Sequence, residues 1–157
     1  MSRIRGIVIA LLTGLVGCNE PTSANDFVEV SLTTDRQVVT PSTPAAITVS
    51  IVNRSDRSVD VADPRSYACM PPYSVETERG DAVPAPSRVC DLILYAPVSL
   101  APGASLTIRD SWSGEGYTGQ FANAPLPSGR YRLAARVVAG GHLVAGEPVV
   151  ISLIAPD

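Results

Sequence analysis

Lysine is absent from all 157 residues, histidine occurs once, cysteine three times, and only eight residues are aromatic. Each scarcity removes a class of chemistry. A phosphate-cradling glycine loop ends on Gly-Lys-Ser/Thr, so it is excluded outright. All twelve basic residues are arginines, dispersed among fifteen acids. A net acidic chain without a basic cluster is not read as a nucleic-acid partner, nor as a protein that docks electrostatically on anionic lipid. The sole histidine, His142, follows Gly140-Gly141 and is expected in an exposed hairpin turn. That placement suits no Ser-His or Cys-His pair, and the chain has no G-x-S-x-G elbow. Zinc lacks a ligand set. Asp56, Asp60 and Asp63 form the only carboxylate cluster, with spacing that fits no EF-hand loop, and a solvated turn is expected there. Glu115 has no partner carboxylate at a readable distance. These absences together describe a non-enzyme with no catalytic residues, no metal site and no cofactor.

What is present is turn and strand chemistry. Fourteen prolines and twelve glycines punctuate a chain rich in Val, Ile and Thr, which favours short strands over helices. Period-two alternation predicts strands over 27–32 (Val28, Val30 and Leu32 inward), 46–53 (Ile47, Val49 and Ile51 inward), 73–78, 105–112, 131–138 and 149–153, with a short one around Val59 and Val61. Asn53 opens a turn, Arg79-Gly80-Asp81 supplies a hairpin rather than an adhesion motif, and Gly140-Gly141 closes another. The lone Trp112 is expected as a core anchor. Cys90 to Tyr95 is apolar enough for a further strand, whereas 63–89 is broken by five prolines. Ser113 to Ala124, polar and glycine-rich, is expected to be a mobile surface loop, with Tyr117 and Phe121 as its candidate binding side chains. Tyr131 follows Pro127-Ser128-Gly129 as the tyrosine of a Greek-key corner does, its hydroxyl bonded back to the incoming backbone. The expected fold is an all-β antiparallel sandwich of about seven to nine strands.

The amino terminus reads differently. Arg3 and Arg5 precede an apolar run from Ile7 to Gly17, too short to span a bilayer, and Cys18 follows at the cleavage point. This is the anatomy of a signal peptide. Leu15-Val16-Gly17-Cys18 resembles the lipobox of bacterial lipoproteins, which implies a cleaved peptide 1–17 and a lipid on Cys18. An ordinary signal peptide with a cysteine at that spot is the alternative. The implied partner is the membrane, through acyl chains that contribute roughly 0.8 kcal/mol per buried CH₂. The implied location is the cell envelope, at the outer membrane where there is one, since Asn19 and not Asp follows the cysteine. Residues 18–26 read as a flexible tether and 27–157 as one domain. Cys69 and Cys90 remain as a pair. Export favours a disulfide between them, closing a loop that contributes roughly 3 kcal/mol in the chain-entropy picture; two unbridged buried cysteines are the alternative.

Three pieces line up along residues 27–154: the Asn53 turn, Leu100-x-Pro102-Gly103 leading on to Trp112, and Pro127-x-Gly129-x-Tyr131. In order and spacing they resemble the intracellular proteinase inhibitor domain of bacterial proteins, an immunoglobulin-like Greek-key sandwich. The resemblance implies that fold, and it implies an inhibitory loop presented to a protease. The chain departs from the family in being exported and in carrying a cysteine pair, and no inhibitory-loop residue matches. The expectation is therefore a membrane-anchored, non-enzymatic binding or structural module with an unknown envelope protein as partner, or alternatively an inhibitor of an envelope protease.

Overall fold

The structure is a computed structural model that describes residues 27–155 apart from 69, 85, 87, 89–94 and 120–121. Alternation of apolar and polar side chains produces its first sheet. β1 (Val28–Thr34), β3 (Ala45–Asn53) and β8 (Ser105–Trp112) pair antiparallel in the order β1-β3-β8. Their registers place Val30 beside Ile51 and Val49 beside Ile108, so the apolar faces of all three strands coincide. Slipping any pair by one residue would turn that face to water, which is why the register is firm.

The second sheet is assembled around β11 (Gly129–Ala139), whose Tyr131, Leu133, Ala135, Val137 and Ala139 are all buried. Both of its edges are shared by two short strands. On one side lie β13 (Val149–Leu153) and β12 (His142–Ala145); on the other lie β5 (Tyr73–Thr77) and β4 (Val59–Val61). β7 (Val98–Leu100) extends β4, and β6 (Ala82–Val83) makes a hairpin with β5 through Gly80 at φ 89°. β2 (Val38–Val39) runs parallel to β13 along the far edge.

Between β4 and β5 the chain leaves the sheet through a 3₁₀ turn, Pro64–Ala68. The amides of β11 stranded by that excursion are still satisfied: Arg136 N donates to Pro72 O at 2.8 Å and Val138 N to the Tyr67 hydroxyl at 3.1 Å. A side-chain oxygen thus replaces a missing strand carbonyl, as an amide so placed requires. The inner faces of the two sheets pack into one core that holds Ile47, Val49, Ile51, Val61, Leu133, Val137 and Ile151. The fold is an all-β sandwich, antiparallel except for the β2–β13 pair. Among the described residues no helix is long and apolar enough to cross a membrane.

Two expectations are corrected. The described residues of 113–124 are not an unstructured loop: β9 (Glu115–Gly119) and β10 (Ala122–Pro125) pair antiparallel. Glycine makes this possible, because Gly114 has φ 80° and a side chain on it would collide with Leu153, while Gly116 fits against Leu126 and the Pro84 carbonyl. The segment's polarity concealed a strand pair held by backbone bonds and not by alternation. Asp63, expected in a solvated turn, is buried. The strand expected over 90–95 falls on residues outside those described, save for Tyr95, which lies in no strand.

Candidate functional site

The registers bring Phe27, Asn53, Val59 and the Gly140-Gly141 turn to one end of the sandwich. A groove of about 1180 Å³ lies there, a little above the roughly 300–1,000 Å³ of small-ligand pockets. One wall is Phe27 and Val28, where the chain enters β1; another is Val59 with Ser99 of β7; a third is Val138 and Ala139 with the Gly140-Gly141 turn; Tyr95 and Pro97 complete it.

Asn53 holds the rim of this end in place. It is fully buried, and its amide donates to Arg57 O at 2.7 Å and to Leu100 O at 2.9 Å, while its Oδ1 accepts from the amide and hydroxyl of Ser55. The Gly103 amide donates to the Asn53 carbonyl at 2.9 Å. One side chain thereby fixes both the 54–58 turn and the turn after β7.

Two arginines lie over aromatic rings here. The Arg57 guanidinium is 5.2 Å from the centre of the Phe27 ring, and Arg65 is 4.2 Å from that of Tyr95. Arg65 is also clamped by Asp63, donating from Nε and from its other nitrogen at 2.9 Å each, with its backbone amide on the same carboxylate at 2.8 Å. The Arg65 guanidinium, then the Arg65 amide, hold the Asp63 carboxyl down to about 2. Burial raises Tyr67, keeping its phenol neutral, and its oxygen accepts from the Val138 amide.

The opposite end is filled. Trp112 is 1% exposed and meets the ring of Tyr131 edge-on, centroids 5.6 Å apart at 65°. Ala45 sits opposite Trp112 in the register, its small side chain leaving room for the indole. The Tyr131 hydroxyl donates to Pro127 O at 2.8 Å, the bond expected of a tyrosine corner. Between the two ends, Arg88 pairs with Asp110 at 2.9 Å, and the Tyr73 hydroxyl donates to Ser111 O at 3.1 Å. Burial, reinforced by the Asp110 charge, pushes the Tyr73 phenol far up.

The residues singled out from sequence scatter. Asp56 and Asp60 are exposed while Asp63 is turned inward onto Arg65, so the three carboxylates do not converge, and among the described residues no His/Cys/Asp/Glu group could hold a metal. His142 is exposed, as expected, but it opens β12 at the mouth of the groove. Tyr117 is half-buried on β9, far in sequence from the groove lining, and its backbone amide donates to Pro84 O at 3.1 Å. Cys18, Cys69, Cys90 and Phe121 lie outside the described residues. The groove itself had no signal in the sequence, since its walls come from four separated stretches.

No protein-family model matches the chain, and no curated protein matches it by sequence. Solved structures do resemble it. An alkylpurine DNA glycosylase AlkC from Pseudomonas fluorescens, bound to DNA containing an abasic site analog, is 15% identical with a TM-score of 0.44, over 82% of this chain and 30% of that one. The C-terminal domain of wzt is 10% identical with a TM-score of 0.47, over 82% and 72%. A β-glucosidase from Listeria innocua in complex with laminaribiose is 13% identical with a TM-score of 0.39, over 81% and 16%. This chain thus spans less than a third of the glycosylase and of the glucosidase, and likeness at this level carries nothing about activity.

Proposed function

We propose that the protein is a lipidated component of a bacterial cell envelope, an immunoglobulin-like sandwich that acts as a non-enzymatic binding module through its open end. The observation that carries the reading is the groove, because it lies where Phe27 brings in the chain, nine residues after Cys18. A domain held by Cys18 presents that end toward its own membrane. Support for the immunoglobulin-like connectivity comes from the parallel β2–β13 edge and the Tyr131–Pro127 bond. The partner is a component of the envelope to which the anchor confines the domain.

The residues behind the proteinase-inhibitor resemblance are engaged in the scaffold: Asn53 ties Leu100 and Gly103, and Trp112 meets Tyr131 edge-on. They support the sandwich and present no loop, so inhibition has no observation of its own. A panel of serine proteases at micromolar protein checks it. The anchor is checked by mass spectrometry of the native amino-terminal peptide, which should begin at an acylated Cys18; a mature chain without acyl groups would overturn the reading.

A further inference from the structure

The groove has walls of a particular kind. Phe27, Val59, Tyr95, Pro97, Val138 and Ala139 give it an apolar lining, drawn from the chain's entry into β1, from β4 and β11 of the second sheet, and from the segment before β7. Its polar rim, Arg57, Asp60 and His142, mixes signs and makes no field that would select an ion. The apolar surface continues past Val138 of its wall, 43% exposed, to that residue's register partner Leu143 on β12, 56% exposed. Exposed apolar residues grouped beside an apolar groove mark a binding surface more than single ones do.

We infer that the groove is an acyl-chain site, and that the chain it takes is one carried by Cys18 of the same molecule. This rests on the anchor proposed above. Cys18 and Phe27 are nine positions apart, a reach of at most roughly 30 Å. Phe27 is itself a wall of the groove, so the acylated cysteine is tethered beside the opening. A ligand on so short a tether is present at millimolar effective concentration, far above that of any free competitor in water. The occupant therefore needs no recognition beyond apolar burial, which is what the lining offers. Seating one chain in the groove removes it from the bilayer. Membrane attachment weakens sharply as the number of inserted chains falls, so occupancy loosens the anchor and makes the groove an internal counterweight to it.

The experiment has two arms. In the first, fatty acids of eight to fourteen carbons, each below its micellar concentration, are titrated calorimetrically into the Cys18→Ser chain. Binding should tighten about tenfold for each two carbons added, the dependence expected of apolar burial. Ser99→Trp, which fills the groove from an exposed position, should weaken it at least tenfold with an unchanged melting temperature, and Ser58→Trp should do the same from the neighbouring wall. No binding, or an affinity indifferent to chain length such as a glycan-type site would show, overturns the proposal. In the second arm, the native lipoprotein carries a photoreactive side chain at position 99 in nanodiscs. A crosslink joining that peptide to the acylated amino-terminal peptide supports the assignment, whereas crosslinks to bilayer lipid alone overturn it. Mass spectrometry of the same sample separates the two readings: an unacylated Cys18 removes the anchor and this inference together, while an acylated Cys18 without the crosslink removes only the inference.

Discussion

The two ends of the sandwich are formed by the same long strands, yet they finish differently. At one, Trp112 and Tyr131 fill the space between the sheets and Gly114 lets the chain pass hard against Leu153. At the other, β4 stops after three residues, the chain departs through the 3₁₀ turn, and the walls stay apart around the groove. The filled end is held by apolar volume and the open end by hydrogen bonds, with Asn53 and Tyr67 each replacing what a continuing strand would have supplied and Asp63 clamping Arg65. An opening can persist in a domain of this size only where such polar ties hold its rim, because apolar walls alone would collapse or recruit a filler.

The largest expected effect lies at the filled end. Trp112→Ala should cost about 3–5 kcal/mol in urea denaturation, the cost of a large buried ring left as a cavity. A loss below 1 kcal/mol would mean this end is as loosely built as the other. Asn53→Ala should follow, at about 3 kcal/mol, because the Arg57 and Leu100 carbonyls and the Ser55 amide lose their partner together. Hydrogen exchange should then rise in the 54–58 and 101–104 turns and leave β13 protected; exchange spreading evenly would show that the ends are not separately held. Tyr131→Phe keeps the ring against Trp112 and removes only the bond to Pro127, so about 1 kcal/mol is expected from the same denaturation series.

The smallest effect is a pH dependence at the open end. The folded Asp63 carboxyl titrates near 2, below its ordinary value near 3.8, so its contribution is complete above the ordinary value and is lost as pH falls toward 2. The stability difference between the native chain and Asp63→Asn should therefore shrink between pH 5 and pH 2. A difference constant across that window would show that Arg65 does not hold the carboxylate.

Most strands were legible because their alternation is a local property. Val28, Val30 and Leu32, or Tyr131, Leu133, Ala135 and Val137, could face a core in only one way. Legibility failed where backbone and not side chains did the pairing. The β9–β10 pair reads as loop because Gly and polar residues carry no period, and β2 is two residues recruited by an edge of β13. Asp63 looked solvated because nothing in Asp-Pro-Arg says that the arginine folds back over the carboxylate.

By itself, the chain determined its strand class, its inward faces, its turns at Asn53, Gly80 and Gly140-Gly141, and the corner that Tyr131 makes, since each depends on residues close in sequence. Tertiary structure alone decided that β4 and β5 share one edge of β11, that Trp112 reaches Tyr131, and that Phe27, Tyr95, Ser99 and Ala139 surround one opening. Those relations join residues up to 112 positions apart, from Phe27 to Ala139, and no local pattern encodes a distance that only the packing of two sheets sets.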